Sequence, residues 1–221
     1  MMTVEMSEKI ATFVKKNDIR LLNLMGGEFF CNPDWFEIFS NLVGATRKAR
    51  IVTNGDWVKS PKVKEKLLAF IEKYGKKVNF SISKDRWHTN ENVEAAGEFF
   101  KDAGAKYNIA TEEETTEHSI VPVGRSALGG GTYYSMFSCY CHSPKEMYSF
   151  LIDENGDIYK CSFGILQYAN VEEYLDGGFD ERFKEFNKVF YKCFISSCRS
   201  CSNFAFFHTK KDGKRCVVPT E

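Results

Sequence analysis

The chain has 221 residues, 43% of them hydrophobic, so it can bury a substantial core as one domain or as one domain with a smaller appendage. Thirty basic and thirty acidic residues cancel, which leaves no net field to hold nucleic acid or an anionic membrane. No apolar run is long enough for a membrane span and the first residues lack signal-peptide order, so we expect a cytoplasmic protein.

Up to about residue 110, helical spacing of apolar residues alternates with short apolar runs. Ile10, Phe13 and Val14 share one face of an opening helix, and Asn32-Pro33-Asp34 supplies a cap and a proline suited to the start of a second helix. Such repeated βα units predict an α/β fold with a mainly parallel sheet. The predicted strands are 19–25, 50–53, 78–82 and 106–110, and the later helices cover 63–71 and 93–100.

The remainder of the chain predicts a smaller and less regular region. Polar and glycine-rich stretches at 111–117 and 129–131 indicate loops around a short strand at 119–123. Asn155-Gly156 separates the apolar runs 148–153 and 157–161, and both positions tolerate the positive φ of a tight hairpin. Two helices are expected near 170–176 and 180–191. The sequence thus predicts a core at 1–126 and an extension at 127–221, with a Cys-rich hairpin and helix.

Glycine and polar residues follow successive predicted strands at their carboxyl ends. After the first strand, glycines let the backbone approach a ligand, and a glutamate can accept charge-assisted hydrogen bonds from an ammonium group. Each signal alone also fits an ordinary turn or a surface cation. Because parallel α/β folds assemble ligand sites at the carboxyl ends of their strands, we expect one shared site. Its candidate residues are Gly26, Gly27, Glu28, Asn54, Ser81, Ser83 and Arg125.

The order and spacing of these residues resemble the radical S-adenosylmethionine family, whose core is a partial (β/α) barrel. The resemblance covers approximately residues 7–126 and implies that Glu28, with Gly26 and Gly27, holds the methionine amine of S-adenosylmethionine. It implies that the other candidate residues lie around the ribose and carboxylate. Two departures are Phe29, where the family usually has proline, and the absence of the N-terminal three-cysteine motif. The chain as given is therefore expected to lack the catalytic cluster.

Eight cysteines without an export signal favour metal or redox chemistry over disulfides, because the cytosol keeps thiols reduced. Cys141 and Cys161 flank the predicted hairpin turn, and Cys198 and Cys201 form a second pair at metal-knuckle spacing. Four thiolates suit a 4Fe-4S cluster or a structural zinc equally well. The Cys, Gly, Cys spacing resembles the SPASM and twitch extensions of radical S-adenosylmethionine enzymes, which implies one auxiliary 4Fe-4S cluster.

The resemblance implies an iron-sulfur oxidoreductase that generates a 5'-deoxyadenosyl radical from S-adenosylmethionine, if the missing cluster motif is supplied. Extensions of this type accompany peptide modification, so the expected partner is a peptide or protein substrate, with no nucleic-acid or membrane partner. An alternative is a non-catalytic scaffold in which zinc or an iron-sulfur cluster staples the tail to the α/β core. A third is an interaction module that docks through its cysteine tail.

Overall fold

Helices and parallel strands alternate along the first half of the chain in a computed structural model, which describes residues 1–26, 28–84, 90–111, 150–159, 167–179 and 181–183. The chain divides into two compact units, Met1–Thr116 and Glu117–Glu221. The predicted boundary between residues 126 and 127 lies outside the described residues and stays a prediction. The first unit contains α1 (Val4–Lys16), β1 (Leu21–Leu24), α2 (Trp35–Ala45), β2 (Lys48–Thr53), α3 (Pro61–Tyr74), β3 (Val78–Lys84), α4 (Asn90–Asp102) and β4 (Tyr107–Thr111).

Local sequence signals start the helices of the first unit. Thr3 caps α1 by accepting a hydrogen bond from the Met6 N–H, and Ser60 caps α3 with Pro61 in the first turn. Two short 3-10 helices, Phe29–Cys31 and Asp56–Lys59, follow β1 and β2. Every predicted helix and strand of this unit is present, with its ends shifted by a few residues.

The four strands form one sheet in the order β1-β2-β3-β4, and all neighbouring strands are parallel. This confirms the predicted α/β class with a parallel sheet. Parallel neighbours in sequential order, joined by right-handed crossovers, place their connecting helices on a single face of the sheet. The side chains agree, because the ring of Phe80 on β3 stacks on Phe100 of α4 with the centroids 4.3 Å apart.

The core of the first unit lies between the sheet and these helices. Alternate strand residues such as Ala49, Ile51, Phe80 and Ile82 are between 0% and 3% exposed, as expected for strands with one buried face. The aromatic rings of Phe30, Trp35, Phe39, Trp57 and Phe70 join this core in edge-to-face and tilted contacts.

The second unit contains a small antiparallel sheet of β5 (Leu151–Ile152), β6 (Asp157–Tyr159) and β7 (Gln167–Asn170). The predicted hairpin at Asn155-Gly156 is confirmed, with Gly156 at φ 81° and the Asp153 carboxylate accepting from the Asn155 and Asp157 N–H groups. The expected helix at 170–176 is corrected: strand β7 ends at Asn170, and one 3-10 turn, Val171–Tyr174, follows. Most of 180–191, and all of 119–123, lie outside the described residues.

No helix in the described ranges combines the length and the apolar character needed to cross a bilayer.

Candidate functional site

Glu28 lies just beyond the carboxyl end of β1, where the chain turns toward α2. Gly26 has a backbone φ of 152°, which residues with a Cβ atom rarely adopt. Glu28 then caps the short helix Phe29–Cys31, because its Oε1 accepts a hydrogen bond of 3.3 Å from the Phe30 N–H. The Glu28 carboxylate therefore lies at the edge of the sheet that is formed by the carboxyl ends of the strands.

The other carboxylate oxygen of Glu28 binds the end of β2. Its Oε2 accepts a 2.8 Å hydrogen bond from the Thr53 hydroxyl and a 2.9 Å hydrogen bond from the Asn54 N–H. Thr53 is only 3% exposed, and its Oγ1 also accepts from the Gly55 N–H and the indole N–H of Trp57. The carboxyl ends of two neighbouring strands are thus joined through one glutamate. Glu28 and Asn54 lie together at this edge of the sheet, while the ligand site expected there stays a prediction.

Burial is the largest influence on the Glu28 carboxyl and raises its pKa above the ordinary value. The hydrogen bonds from the Asn54 N–H, the Thr53 hydroxyl and the Phe30 N–H act in the opposite direction, while the charge of Asp56 raises the pKa further. An ionised carboxylate offers about four acceptor positions. Donors from the described residues occupy three of them, so within this part of the chain Oε1 keeps capacity for one ligand donor.

The side chain of Asn54 is turned away from Glu28. Its Nδ2 donates to Asp56 Oδ2 at 2.9 Å, and its Oδ1 accepts from the Asp56 N–H at 2.9 Å. Asp56 also accepts a 2.7 Å hydrogen bond from Nδ2 of Asn92, which lies on α4. Between these residues, Gly55 has φ 83°, and a Cβ there would lie 2.8 Å from the Asn92 carbonyl oxygen. This network makes Asn54 a turn residue whose backbone, rather than its amide, reaches Glu28.

Ser81 and Ser83 lie on the sheet face opposite the helices. Ser81 is 1% exposed, and its Oγ accepts a 2.7 Å hydrogen bond from Arg50 Nη2 and a 3.3 Å hydrogen bond from Asn108 Nδ2. The Ser83 hydroxyl makes no hydrogen bond within the described ranges, and its backbone pairs with β4. Ser81 therefore contacts a strand neighbour in the middle of the sheet, not the Glu28 cluster at its end.

The other predicted site residues cannot be placed. Gly27, Arg125 and the four predicted metal ligands Cys141, Cys161, Cys198 and Cys201 lie outside the described residues. Among the residues that are described, no three His, Cys, Asp or Glu side chains cluster as a metal site would require. The metal site stays a prediction from cysteine spacing.

Several residues of these networks were not among the candidates. Thr53 is not among the candidates although it directly precedes Asn54. Asp56 begins the short 3-10 helix after β2, and Asn92 lies on α4, so neither directly follows a strand. Arg50 and Asn108 could have been found from strand alternation. Each is a polar strand residue whose two neighbours in the sequence point to the opposite face of the sheet.

The chain matches no known protein-family profile. No curated protein matches its sequence either.

Proposed function

We propose that this chain is a radical S-adenosylmethionine-type protein that binds S-adenosylmethionine at the carboxyl ends of its parallel strands. The observation that carries the proposal is the Glu28 carboxylate, which is held at the ends of β1 and β2 by Thr53 and the Asn54 N–H. Among the described residues, its Oε1 accepts one hydrogen bond, of 3.3 Å, so it can also accept from the methionine ammonium group. The residues present therefore fit this ligand.

The strand order supports a partial (β/α) barrel for the first unit. A doubly wound sheet reverses its strand order at one point and carries helices on both faces. Here the order is sequential from β1 to β4 and Phe80 faces α4, which is the arrangement of consecutive units in a barrel wall. In a barrel, the polar face that carries Arg50 and Ser81 would line the interior.

The proposal includes an auxiliary 4Fe-4S cluster on Cys141, Cys161, Cys198 and Cys201, with a peptide or protein as substrate. If the missing catalytic cluster motif is supplied, the bound clusters and S-adenosylmethionine would supply one-electron chemistry, while the protein would bind and orient the reactants. Thiolate ligands of this kind need reduced cysteines, which favours a cytoplasmic location. The substrate class depends on the resemblance to SPASM and twitch extensions alone.

A second candidate is a non-catalytic scaffold stapled by zinc or an iron-sulfur cluster. It is favoured by the three protein donors that already bind Glu28, because a purely structural strut between β1 and β2 would have the same contacts. In that function the glutamate stabilises the sheet edge and binds no ligand.

Titration calorimetry with S-adenosylmethionine on the anaerobically purified chain separates the two candidates. We expect wild type to bind, and Glu28→Gln to bind at least about tenfold more weakly because it loses a charge-assisted hydrogen bond. Glu37→Gln, an exposed change on α2, should bind as wild type does. Absence of binding by wild type, together with retained zinc or iron, would support the scaffold.

A further inference from the structure

The sheet face opposite the helices carries a row of polar side chains, which we call the open face: Asn23, Arg50, Asn79, Ser81 and Asn108. Asn23, Arg50 and Asn79 are register partners on three neighbouring strands. Ser81 and Asn108 are partners one step further along. Alternation along each strand puts all five on the side away from α4, so the row crosses the whole sheet.

Hydrogen bonds hold the middle of this row in place. Arg50 Nη2 donates to the buried Ser81 hydroxyl at 2.7 Å, and Asn108 Nδ2 donates to the same oxygen at 3.3 Å. Asn79 Nδ2 donates to Asn108 Oδ1 at 3.2 Å. A guanidinium has five N–H groups in a rigid fork, so one bond to Ser81 fixes Arg50 while most of its donors stay available.

The open face carries positive charge, and no acidic residue on the four strands balances it. None of the four strands contains an Asp or Glu, whereas β2 contains both Lys48 and Arg50. Arg50 forms no ion pair with any carboxylate of the described residues. Arg20 and Arg47, in contrast, both bind Asp18, at 2.9 Å and 3.2 Å.

We infer that Arg50 is the anchor of an oxyanion site on the open face, which binds the carboxylate or phosphate group of a small ligand. The guanidinium would take the oxyanion through paired N–H groups, and the second amide hydrogens of Asn79 and Asn108 lie on the same face to add donors. Charge complementarity selects this occupant, because the row offers donors and a cation and no acid. The inference does not depend on S-adenosylmethionine binding.

The test is a titration of the full chain, ¹⁵N-labelled, with inorganic phosphate and separately with acetate at constant ionic strength. We expect a saturable shift of the Arg50 Nε–H signal with at least one of the two anions, and the anion that binds more tightly identifies the class of ligand group. In Arg50→Gln, the remaining side-chain amide signals of the open face should respond at least about tenfold more weakly. Arg47→Gln is the matched control, because it removes an exposed arginine from outside the strands and should bind as wild type does.

Arg50→Lys provides an independent test in case Arg50→Gln fails to fold. It keeps the charge but loses the paired N–H groups, so its affinity should lie between those of wild type and Arg50→Gln. The inference is overturned if neither anion gives a saturable shift, or if Arg50→Gln, shown to be folded by its thermal melt, responds as wild type does.

Discussion

At the scale of single residues, Glu28 is held between opposing effects. Burial disfavours its charged form, and donors from Phe30, Thr53 and Asn54 favour that form. The burial effect is larger, so the group retains its proton to higher pH than an exposed glutamate does. Burial removes water from this carboxylate, and the described residues supply donors for three of its about four acceptor positions. A ligand ammonium group could therefore add a favourable hydrogen bond.

The raised pKa of Glu28 predicts a pH dependence of stability. The folded chain binds this proton more tightly than the unfolded chain, so the stability contribution is full below the ordinary carboxyl pKa and is lost as pH rises through the raised value. We expect the unfolding free energy of wild type, minus that of Glu28→Gln, to fall in urea titrations as the pH rises above the ordinary glutamate pKa of about 4.3. A difference that rises with pH would mean that the three hydrogen bonds outweigh burial.

At the scale of elements, polar contacts stabilise the short 3-10 turn that follows β7 in the second unit. The Asn170 N–H donates to Glu173 Oε1 at 2.9 Å and its Oδ1 accepts from the Glu172 N–H, a capping box. Gly177 and Gly178, at φ 103° and 81°, leave the helical conformation directly afterwards. These glycines limit the helix expected at 170–176 to one 3-10 turn.

Asn170 also joins this turn to the hairpin, which gives a second prediction. Its Nδ2 donates to the Asn155 carbonyl and to Asp157 Oδ1, at 3.2 Å and 2.9 Å. We expect Asn170→Ala to cost about 1–2 kcal/mol locally, from the lost cap and lost hydrogen bonds. Hydrogen exchange at the Val171 N–H, which donates to the Gly156 carbonyl, should accelerate about tenfold.

Glu173→Gln is the control for that experiment, since its amide oxygen can still accept from the Asn170 N–H. It should leave the exchange of Val171 close to that of wild type. Unchanged exchange in Asn170→Ala would show that β6 and β7 pairing alone holds this end of the small sheet.

At the scale of the whole first unit, the sheet separates an apolar face from a polar one. Phe80 and Asn79 are neighbours on β3 but belong to opposite faces: Phe80 is 0% exposed against Phe100, and Asn79 bonds across the open face to Asn108. This division follows from strand alternation once all crossover helices are on one side.

The two faces predict unequal costs for alanine substitution. Phe80→Ala should lower the unfolding free energy by about 3–5 kcal/mol, because it leaves a cavity in the core. Asn79→Ala should change it by about 0.5 kcal/mol or less, as expected of a partly exposed polar residue. Equal losses in urea titrations would mean that both sheet faces belong to packed cores.

The sequence by itself determined the elements of the first unit, because helix caps and the periods of apolar residues are local properties. Alternation, proline and capping residues predicted β1 to β4 and α1 to α4, and Asn155-Gly156 predicted the hairpin. It also indicated Glu28 and Asn54 as neighbours, since both follow strands of one parallel sheet. Strand β7 was missed because its pairing with β6 is not visible in its own residues.

Only the tertiary structure decided which polar groups meet. The Thr53 hydroxyl reaches Glu28 across 25 residues, and Arg50 reaches Ser81 across 31 residues. These contacts depend on the register between strands, and a shift of one residue would turn the side chain of Thr53, Arg50 or Ser81 to the other face of the sheet. Register is set by packing of the whole sheet against its helices. A local sequence pattern can therefore indicate residues of a site but cannot predict which of them contact each other.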